Sequence, residues 1–194
     1  MKLEKLNDCI NNALVKCQEE INNRNVMVLS EADFERLVAN KITEILENIP
    51  DNDYSVHTQL SHFADEKPHV LTRPDIVLLN EQKFVSSVVY NRKRGSGNNS
   101  KNGPIEYKGP SIAIELKFLR VGVGASIVKR DLDKWDNQLT PNKRLYIAVL
   151  IDTHLKSANE LYERKRNAID DLFAEYTFKD WTAHMVLQNL PLKE

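Results

Sequence analysis

Three charged residues near the middle of the sequence have the types and spacing of a reactive centre. Asp75 follows Arg73-Pro74 and opens the apolar run IVLL, and Glu115 and Lys117 lie one residue apart within the run IAIELKF. Because side chains alternate across a strand, Glu115 and Lys117 are expected on the same face. Buried charges persist when they are paired with each other, with a metal ion or with a ligand. The pattern therefore predicts either a structural ion pair or a binding site.

The segments that carry these residues resemble the PD-(D/E)xK nuclease superfamily, which includes many restriction endonucleases and repair nucleases. The matching segments occur in the family's order: a helix with Glu31 and Glu35, then Pro74-Asp75, then Glu115-Leu116-Lys117. The resemblance implies an α/β fold with a restriction endonuclease-like αβββαβ core, in which helices flank a central mixed sheet. The extra N-terminal helix of this chain is an addition to that core.

The resemblance also implies catalysis by Asp75, Glu115 and Lys117 with a divalent cation. The two carboxylates and the backbone carbonyl of Leu116 are hard oxygen ligands that suit Mg²⁺ or Mn²⁺ as the cofactor. Two roles remain open for Lys117. With a lowered pKa it positions or deprotonates the attacking water, and as an ammonium it stabilises the charge of the transition state.

A glutamate from the preceding helix is expected to complete the metal shell or to hold a metal-bound water. Glu31 is favoured because it stands at the start of the helix, and Glu35 is the second choice. The alternative for either residue is an ordinary surface glutamate.

Two helices are predicted before the first strand. Apolar residues recur every three or four positions over Leu3–Asn23, so an amphipathic helix is expected within residues 1–25. This helix either covers the core or pairs with a second subunit. The next helix begins after Ser30, where Asp33 three residues later resembles a capping box, and Pro50 closes it.

The rest of the chain alternates between strands and helices. Strands are predicted at Tyr54–Leu60, Ile76–Leu79, Phe84–Tyr90, Ile112–Phe118, Leu145–Ile151 and Thr182–Leu187. Helices are predicted at Ile127–Leu139 and Ala158–Tyr176. The nearly continuous apolar run Leu145–Ile151 is typical of a strand that is buried on both faces, whereas Thr182–Leu187 is expected at an edge.

Basic and polar side chains are predicted to contact DNA. The set is Arg73, Arg92, Lys93, Arg94, Lys101, Lys134 and Gln138. Residues 91–110 are rich in Gly, Asn, Ser, Lys and Arg, which predicts a flexible basic loop. Asp131, Lys134 and Gln138 lie on one side of their helix, close enough to contact the site or a phosphate. A salt bridge on the helix surface is the alternative for these three residues.

Composition limits the remaining classes of protein. A length of 194 residues fits a single domain over 1–194, and 41% hydrophobic with 28% charged residues is ordinary for a globular chain. No run approaches the roughly 20 apolar residues that span a bilayer, and no signal peptide is recognised, so a cytoplasmic protein without a membrane partner is expected. Cys9 and Cys17 are expected to be buried free thiols.

The predicted function is that of a divalent-metal-dependent endonuclease that acts on DNA in restriction, defence or recombination. A net charge of −1 argues against coating of nucleic acid through bulk charge, so local patches must bind the phosphates. A homodimer would present two sites to a duplex, with the helix at Leu3–Ile21 as one candidate interface. The alternative function is a catalytically inactive nucleic-acid-binding or assembly module on the same fold.

Overall fold

Four helices of ten residues or more and eight strands form in the part of the chain that the structure describes. The structure is a computed structural model that describes residues 2–23, 25–60, 62–64, 67–83, 105–107, 109–135, 139, 142–153, 158–176 and 182–190. The helices are α1 (Leu3–Asn22), α2 (Glu31–Glu47), α3 (Ser126–Trp135) and α4 (Ala158–Glu175). The strands are β1 (Tyr54–Thr58), β2 (His62–Ala64), β3 (Lys67–Thr72), β4 (Ile76–Asn80), β5 (Ile105–Glu106), β6 (Ser111–Leu119), β7 (Lys143–Asp152) and β8 (Thr182–Asn189).

The main sheet has five strands in the order β1-β4-β6-β7-β8. The pairs β1/β4 and β4/β6 are antiparallel, whereas β6/β7 and β7/β8 are parallel, with α3 and α4 as the crossovers. The prediction of an α/β fold with a mixed sheet and flanking helices is therefore confirmed. Strand β8 lies at one edge, as predicted, and β2, β3 and β5 form a second, three-stranded sheet that the sequence did not reveal.

Side chains of β6 and β7 alternate between two apolar layers. Ile112, Ile114 and Leu116 are buried in the layer that includes α1 and α2. Ala113 and Leu119 are buried in the opposite layer, with α3 and α4. All residues of β7 except one are buried, which confirms a strand that is covered on both faces. The odd-numbered side chains of β6, among them the two charged ones, therefore point toward α3.

Helix α2 begins at the predicted capping box. Ser30 accepts a hydrogen bond at its Oγ from the backbone N–H of Asp33 at 3.1 Å, and the Asp33 carboxylate accepts one from the backbone N–H of Leu29 at 3.3 Å. Helix α2 ends three residues before Pro50, the residue predicted to close it. The helix ends at Glu47, and the following residue, Asn48, donates its side-chain amide to a carbonyl of the last turn.

The N-terminal helix α1 covers the core, which is one of its two predicted roles. Its apolar stripe, which includes Leu6, Ile10, Leu14 and Ile21, is buried. The other predicted role, pairing with a second subunit, stays a prediction. Across the described residues, no helix combines the length and apolar character that crossing a bilayer requires.

An amide on α1 also engages the edge strand β8. Gln18 donates from Nε2 to the carbonyl oxygen of Gln188 at 2.9 Å and accepts at Oε1 from the backbone N–H of Gln188 at 2.7 Å. A neighbouring strand would satisfy the same two backbone groups. The side chain of Gln18 therefore makes the two hydrogen bonds that a further strand beside β8 would make with Gln188.

The last part of the predicted loop at 91–110 is described by the structure. Its last residues include β5, and Tyr107 is fully buried with its hydroxyl bonded to the backbone of Asn80 and Pro110. This hydroxyl ties the end of β4 to the start of β6. The predicted strand Phe84–Tyr90 lies outside the described residues, as do residues 91–104 and 108 of the predicted loop.

Candidate active site

Asp75 meets β6 because β4 and β6 are paired. The register places Ile76 opposite Ile114, so Asp75 lies at the end of this pairing, beside the segment that carries Glu115. The backbone N–H of Leu116 donates to Asp75 Oδ2 at 2.7 Å. Asp75 lies in a bend, and β4 begins at Ile76, as the sequence predicts. This hydrogen bond orients the Asp75 carboxylate toward the polar face of β6.

The ammonium group of Lys117 lies among four oxygen atoms. Its Nζ is 2.8 Å from the carbonyl oxygen of Leu116 and 2.9 Å from Asp131 Oδ2. It is 3.9 Å from Asp75 Oδ2 and 4.0 Å from Glu31 Oε1. Only 12% of the Lys117 side chain is exposed. Residues from α2, α3, β6 and the bend before β4 thus converge on one cation.

These carboxylates keep Lys117 protonated. Burial on its own would lower the pKa of Lys117, but Asp131, and after it Asp75 and Glu31, raise the pKa above its ordinary value. Both roles predicted for Lys117, the base and the ammonium that stabilises charge, stay predictions.

Glu115 is held on the same face by α3. Its side chain is almost fully buried, and Oε1 accepts from Lys134 Nζ at 2.7 Å and from Trp135 Nε1 at 2.8 Å. Burial raises the pKa of Glu115, the contact with Lys134 opposes that rise, and the nearby charge of Asp75 adds to it. Burial therefore disfavours the ionised form of Glu115, and the hydrogen bonds from Lys134 and Trp135 offset this cost.

Helix α3 supplies a partner of opposite charge to each charged residue of β6. Lys134 pairs with Glu115, and Asp131 pairs with Lys117. Asp131 and Lys134 therefore lie against Lys117 and Glu115, while Gln138 lies outside the described residues. The alternative of a salt bridge confined to the helix surface does not describe these two pairs, since both join the helix to the sheet.

The two glutamates of α2 reach the site in different ways. Glu31 Oε1 faces Lys117, and Glu31 Oε2 accepts from the backbone N–H of Phe118 at 3.3 Å. Glu35 Oε2 accepts from Gln59 Nε2 at 2.9 Å, and the same nitrogen lies 3.3 Å from Asp75 Oδ1. Glu31 therefore contacts the central cluster directly, whereas Glu35 acts on it through Gln59.

Two residues of the site were missed by sequence reasoning. Trp135 lies within the predicted helix Ile127–Leu139, and nothing in its spacing indicates that the indole N–H meets Glu115. Gln59 was read as part of a strand, but it follows β1 with a φ of 53°, in the left-handed region. No sequence signal marks a glutamine for that conformation.

The predicted DNA contacts are described only in part. Arg73 is exposed and donates from Nε to the carbonyl oxygen of Gln59 at 3.2 Å. Lys134 is engaged by Glu115, so a phosphate would have to compete with that carboxylate. The other residues of the set, Arg92, Lys93, Arg94, Lys101 and Gln138, lie outside the described residues.

The donor set fits a hard divalent cation. Within the described ranges, no three His, Cys, Asp or Glu side chains are grouped as they stand to hold a metal ion. The ammonium of Lys117 instead lies between the carboxylates of Asp75, Glu31 and Asp131. These donors and the Leu116 carbonyl are all oxygens that already surround a positive charge, and such ligands are those that Mg²⁺ and Mn²⁺ take in proteins.

Comparison of the chain with protein-family models, with curated proteins and with solved structures finds no match in any of the three. Function is therefore inferred from the residues of the site and their geometry.

Proposed function

We propose that the chain is a divalent-metal-dependent endonuclease of the PD-(D/E)xK type that hydrolyses phosphodiester bonds in DNA. The observation that carries this proposal is the convergence of Asp75, Glu31 and the Leu116 carbonyl on the ammonium of Lys117. The element order offers further support. In the main sheet, helix α2, strands β1, β4 and β6, helix α3 and the parallel strand β7 occur in an order that resembles the αβββαβ core of that family. Strands β2, β3 and β5 are inserted between them.

Four residues would hold the cation. The oxygen ligands would be Asp75, Glu31, Glu115 and the backbone carbonyl of Leu116, and Oε2 of Glu115 is not used by Lys134 or Trp135. When bound, a Mg²⁺ or Mn²⁺ ion polarises the phosphodiester and makes a water molecule more acidic.

The protein's own side chains orient the reactants and neutralise charge. The N–H of Leu116 fixes the Asp75 carboxylate, and Lys134 and Trp135 fix that of Glu115. Lys117 holds its proton at Nζ and presents a positive charge toward a phosphate that enters the site. Preorganised charges of this kind stabilise a transition state more than bulk water does, because they need not reorient during the reaction.

Plasmid cleavage tests the proposal. With Mg²⁺ the wild type is expected to nick or linearise supercoiled DNA, and EDTA is expected to stop it. Asp75→Asn and Lys117→Ala should each lower the rate by about 10²-fold or more. The matched controls Asp171→Asn and Lys129→Ala alter exposed residues on α4 and α3 and should cleave like the wild type. Cleavage that survives Asp75→Asn and Lys117→Ala unchanged would refute the proposal.

The inactive binding module predicts a different result in the same experiment. It would retain DNA in a gel-shift assay in the presence of Ca²⁺ or Mg²⁺, but no cation would produce cleavage. One observation supports this second function. Both charged residues of β6 are already paired with residues of α3.

A further inference from the structure

Gln59 adopts a backbone conformation that its side chain does not favour. Its φ of 53° lies in the left-handed region, which is unfavourable for a residue other than glycine. Gln59 is also exposed, so core packing does not offset this cost. Strained conformations of this kind persist where surrounding contacts over-determine them, and they cluster at functional sites.

The backbone of Gln59 is fixed by the residues on either side of Pro74. Its N–H donates to the carbonyl oxygen of Asp75 at 2.9 Å, and its carbonyl oxygen accepts from Arg73 Nε at 3.2 Å. Both bonds connect the end of β1 to the bend that leads into β4. The strained residue is thus attached to the segment that presents Asp75.

The side chain of Gln59 joins two carboxylates. Its amide nitrogen carries two hydrogen atoms and lies 2.9 Å from Glu35 Oε2 and 3.3 Å from Asp75 Oδ1. Since ionised carboxylates only accept hydrogen bonds, the –NH₂ end of the amide must face them. The other oxygen of Asp75, Oδ2, is occupied by the Leu116 N–H, so both oxygens of this carboxylate are directed.

We propose that Gln59 is a positioning residue that fixes the Asp75 carboxylate and links Glu35 to it without adding charge. The inference rests on the proposed function, since Asp75 is the acid that would hold the cation. This role accounts for the left-handed backbone of Gln59, because that conformation directs the side-chain amide toward Glu35 and Asp75. It also gives Glu35 an indirect role, in which it orients the Gln59 amide.

Substitution by glycine separates this role from a structural one. Gln59→Gly relieves the strain, so Tm is expected to stay unchanged or to rise by up to about 3 °C. Cleavage and Mn²⁺ affinity are expected to fall by about 10- to 100-fold, the usual loss when a partner of a metal ligand is removed. Mn²⁺ binding is read by electron paramagnetic resonance, independently of activity.

Asp51 offers a matched control, because it is an exposed residue with a φ of 55° and makes no contact with the site. Asp51→Gly relieves the same kind of strain and should leave cleavage and Mn²⁺ affinity unchanged. Gln59→Glu keeps the length of the side chain but replaces the donor with a third carboxylate. It should weaken Mn²⁺ binding and cleavage as Gln59→Gly does, without relief of the backbone strain.

The outcomes separate the two proposals. If the wild type binds Mn²⁺ and cleaves DNA, Asp75→Asn abolishes both, and Gln59→Gly matches the wild type in both, the positioning role is overturned and the nuclease stands. A Tm of Gln59→Gly well below that of the wild type also overturns the positioning role, because partial unfolding would then account for the loss of activity. If the wild type neither binds Mn²⁺ nor cleaves, the proposed function falls and the positioning role falls with it.

Discussion

Trp135 donates its indole N–H to the carboxylate of Glu115 across 2.8 Å, and each of the two residues is only 3% exposed. A buried carboxylate that loses a donor retains the full cost of its desolvation. The ring of Trp135 also belongs to the apolar layer between α3 and the sheet. One residue thus stabilises the core and orients an acid of the site.

Replacement of Trp135 by phenylalanine should separate these two contributions. Trp135→Phe keeps an aromatic ring in the layer but removes the hydrogen bond, so the free energy of unfolding should fall by about 1–3 kcal/mol. Urea denaturation measures the loss. Tyr176→Phe is the control, because the Tyr176 hydroxyl bonds the exposed Asp133 and its removal should cost less than about 0.5 kcal/mol. Equal losses in the two variants would show that the Trp135–Glu115 hydrogen bond contributes no more to the free energy of unfolding than an exposed one.

Asp131 and Lys117 form an ion pair that solvent screens poorly. Their side chains are 17% and 12% exposed, and their charged atoms are 2.9 Å apart. Asp131→Asn should lower the free energy of unfolding by about 1–3 kcal/mol, because a mostly buried ammonium loses its nearest charge while it keeps Asp75 and Glu31. Urea titrations at low and high salt measure the effect. The loss should persist at high salt, whereas a loss that disappears with added salt would indicate an exposed pair.

Gly109 is packed too closely to accept a side chain. A Cβ atom there would lie 2.6 Å from Cζ of Tyr107 and 2.8 Å from Cβ of Lys83. Gly109→Ala should therefore displace the Tyr107 hydroxyl, which ties β4 to β6, and cost about 1–3 kcal/mol in a chemical denaturation experiment.

Gly124→Ala is the control for this steric argument. No atom lies within 4 Å of a Cβ at Gly124, and its φ is outside the left-handed region. This variant should be neutral or more stable by up to about 1 kcal/mol, because alanine restricts the unfolded chain. Destabilisation of both variants to the same extent would mean that the contact with Tyr107 is not the cause.

The thiol of Cys17 should be inert while the chain is folded. The residue is fully buried, and burial raises its pKa from 9.0 to about 12. The unfolded chain ionises first, so this group's contribution to stability is complete below pH 9.0 and declines as the pH approaches about 12. Iodoacetamide labelling followed by mass spectrometry should find Cys17 unmodified near pH 8 until guanidinium chloride is added. Rapid labelling without denaturant would contradict the buried position.

The sequence predicted the elements whose period or boundary signals are strong. The spacing of Glu115 and Lys117 placed both on one face of β6, and Ser30 with Asp33 marked the start of α2. The apolar run of β7 indicated a strand that is covered on both faces. These features depend on neighbours along the chain, which is why a single sequence suffices to predict them.

The contacts that complete the site depend on residues that are distant in sequence. Gln59 meets Asp75 only because β1 and β4 pair, and Trp135 meets Glu115 only because α3 packs across β6. The strands β2, β3 and β5 of the small sheet each have few apolar residues. The alternation of apolar and polar residues in each strand is therefore too short to predict this sheet. Tertiary packing, rather than local preference, determines these features.

The amide of Gln18 also blocks part of the hydrogen-bonding edge of β8. A strand from another molecule that approaches β8 finds the backbone N–H and C=O of Gln188 already satisfied by a helix side chain. To extend the sheet at this point, the newcomer has to break two hydrogen bonds and shift α1 before it gains any of its own. At Gln188, a helix side chain therefore opposes edge-to-edge association of β8 with a strand from another molecule.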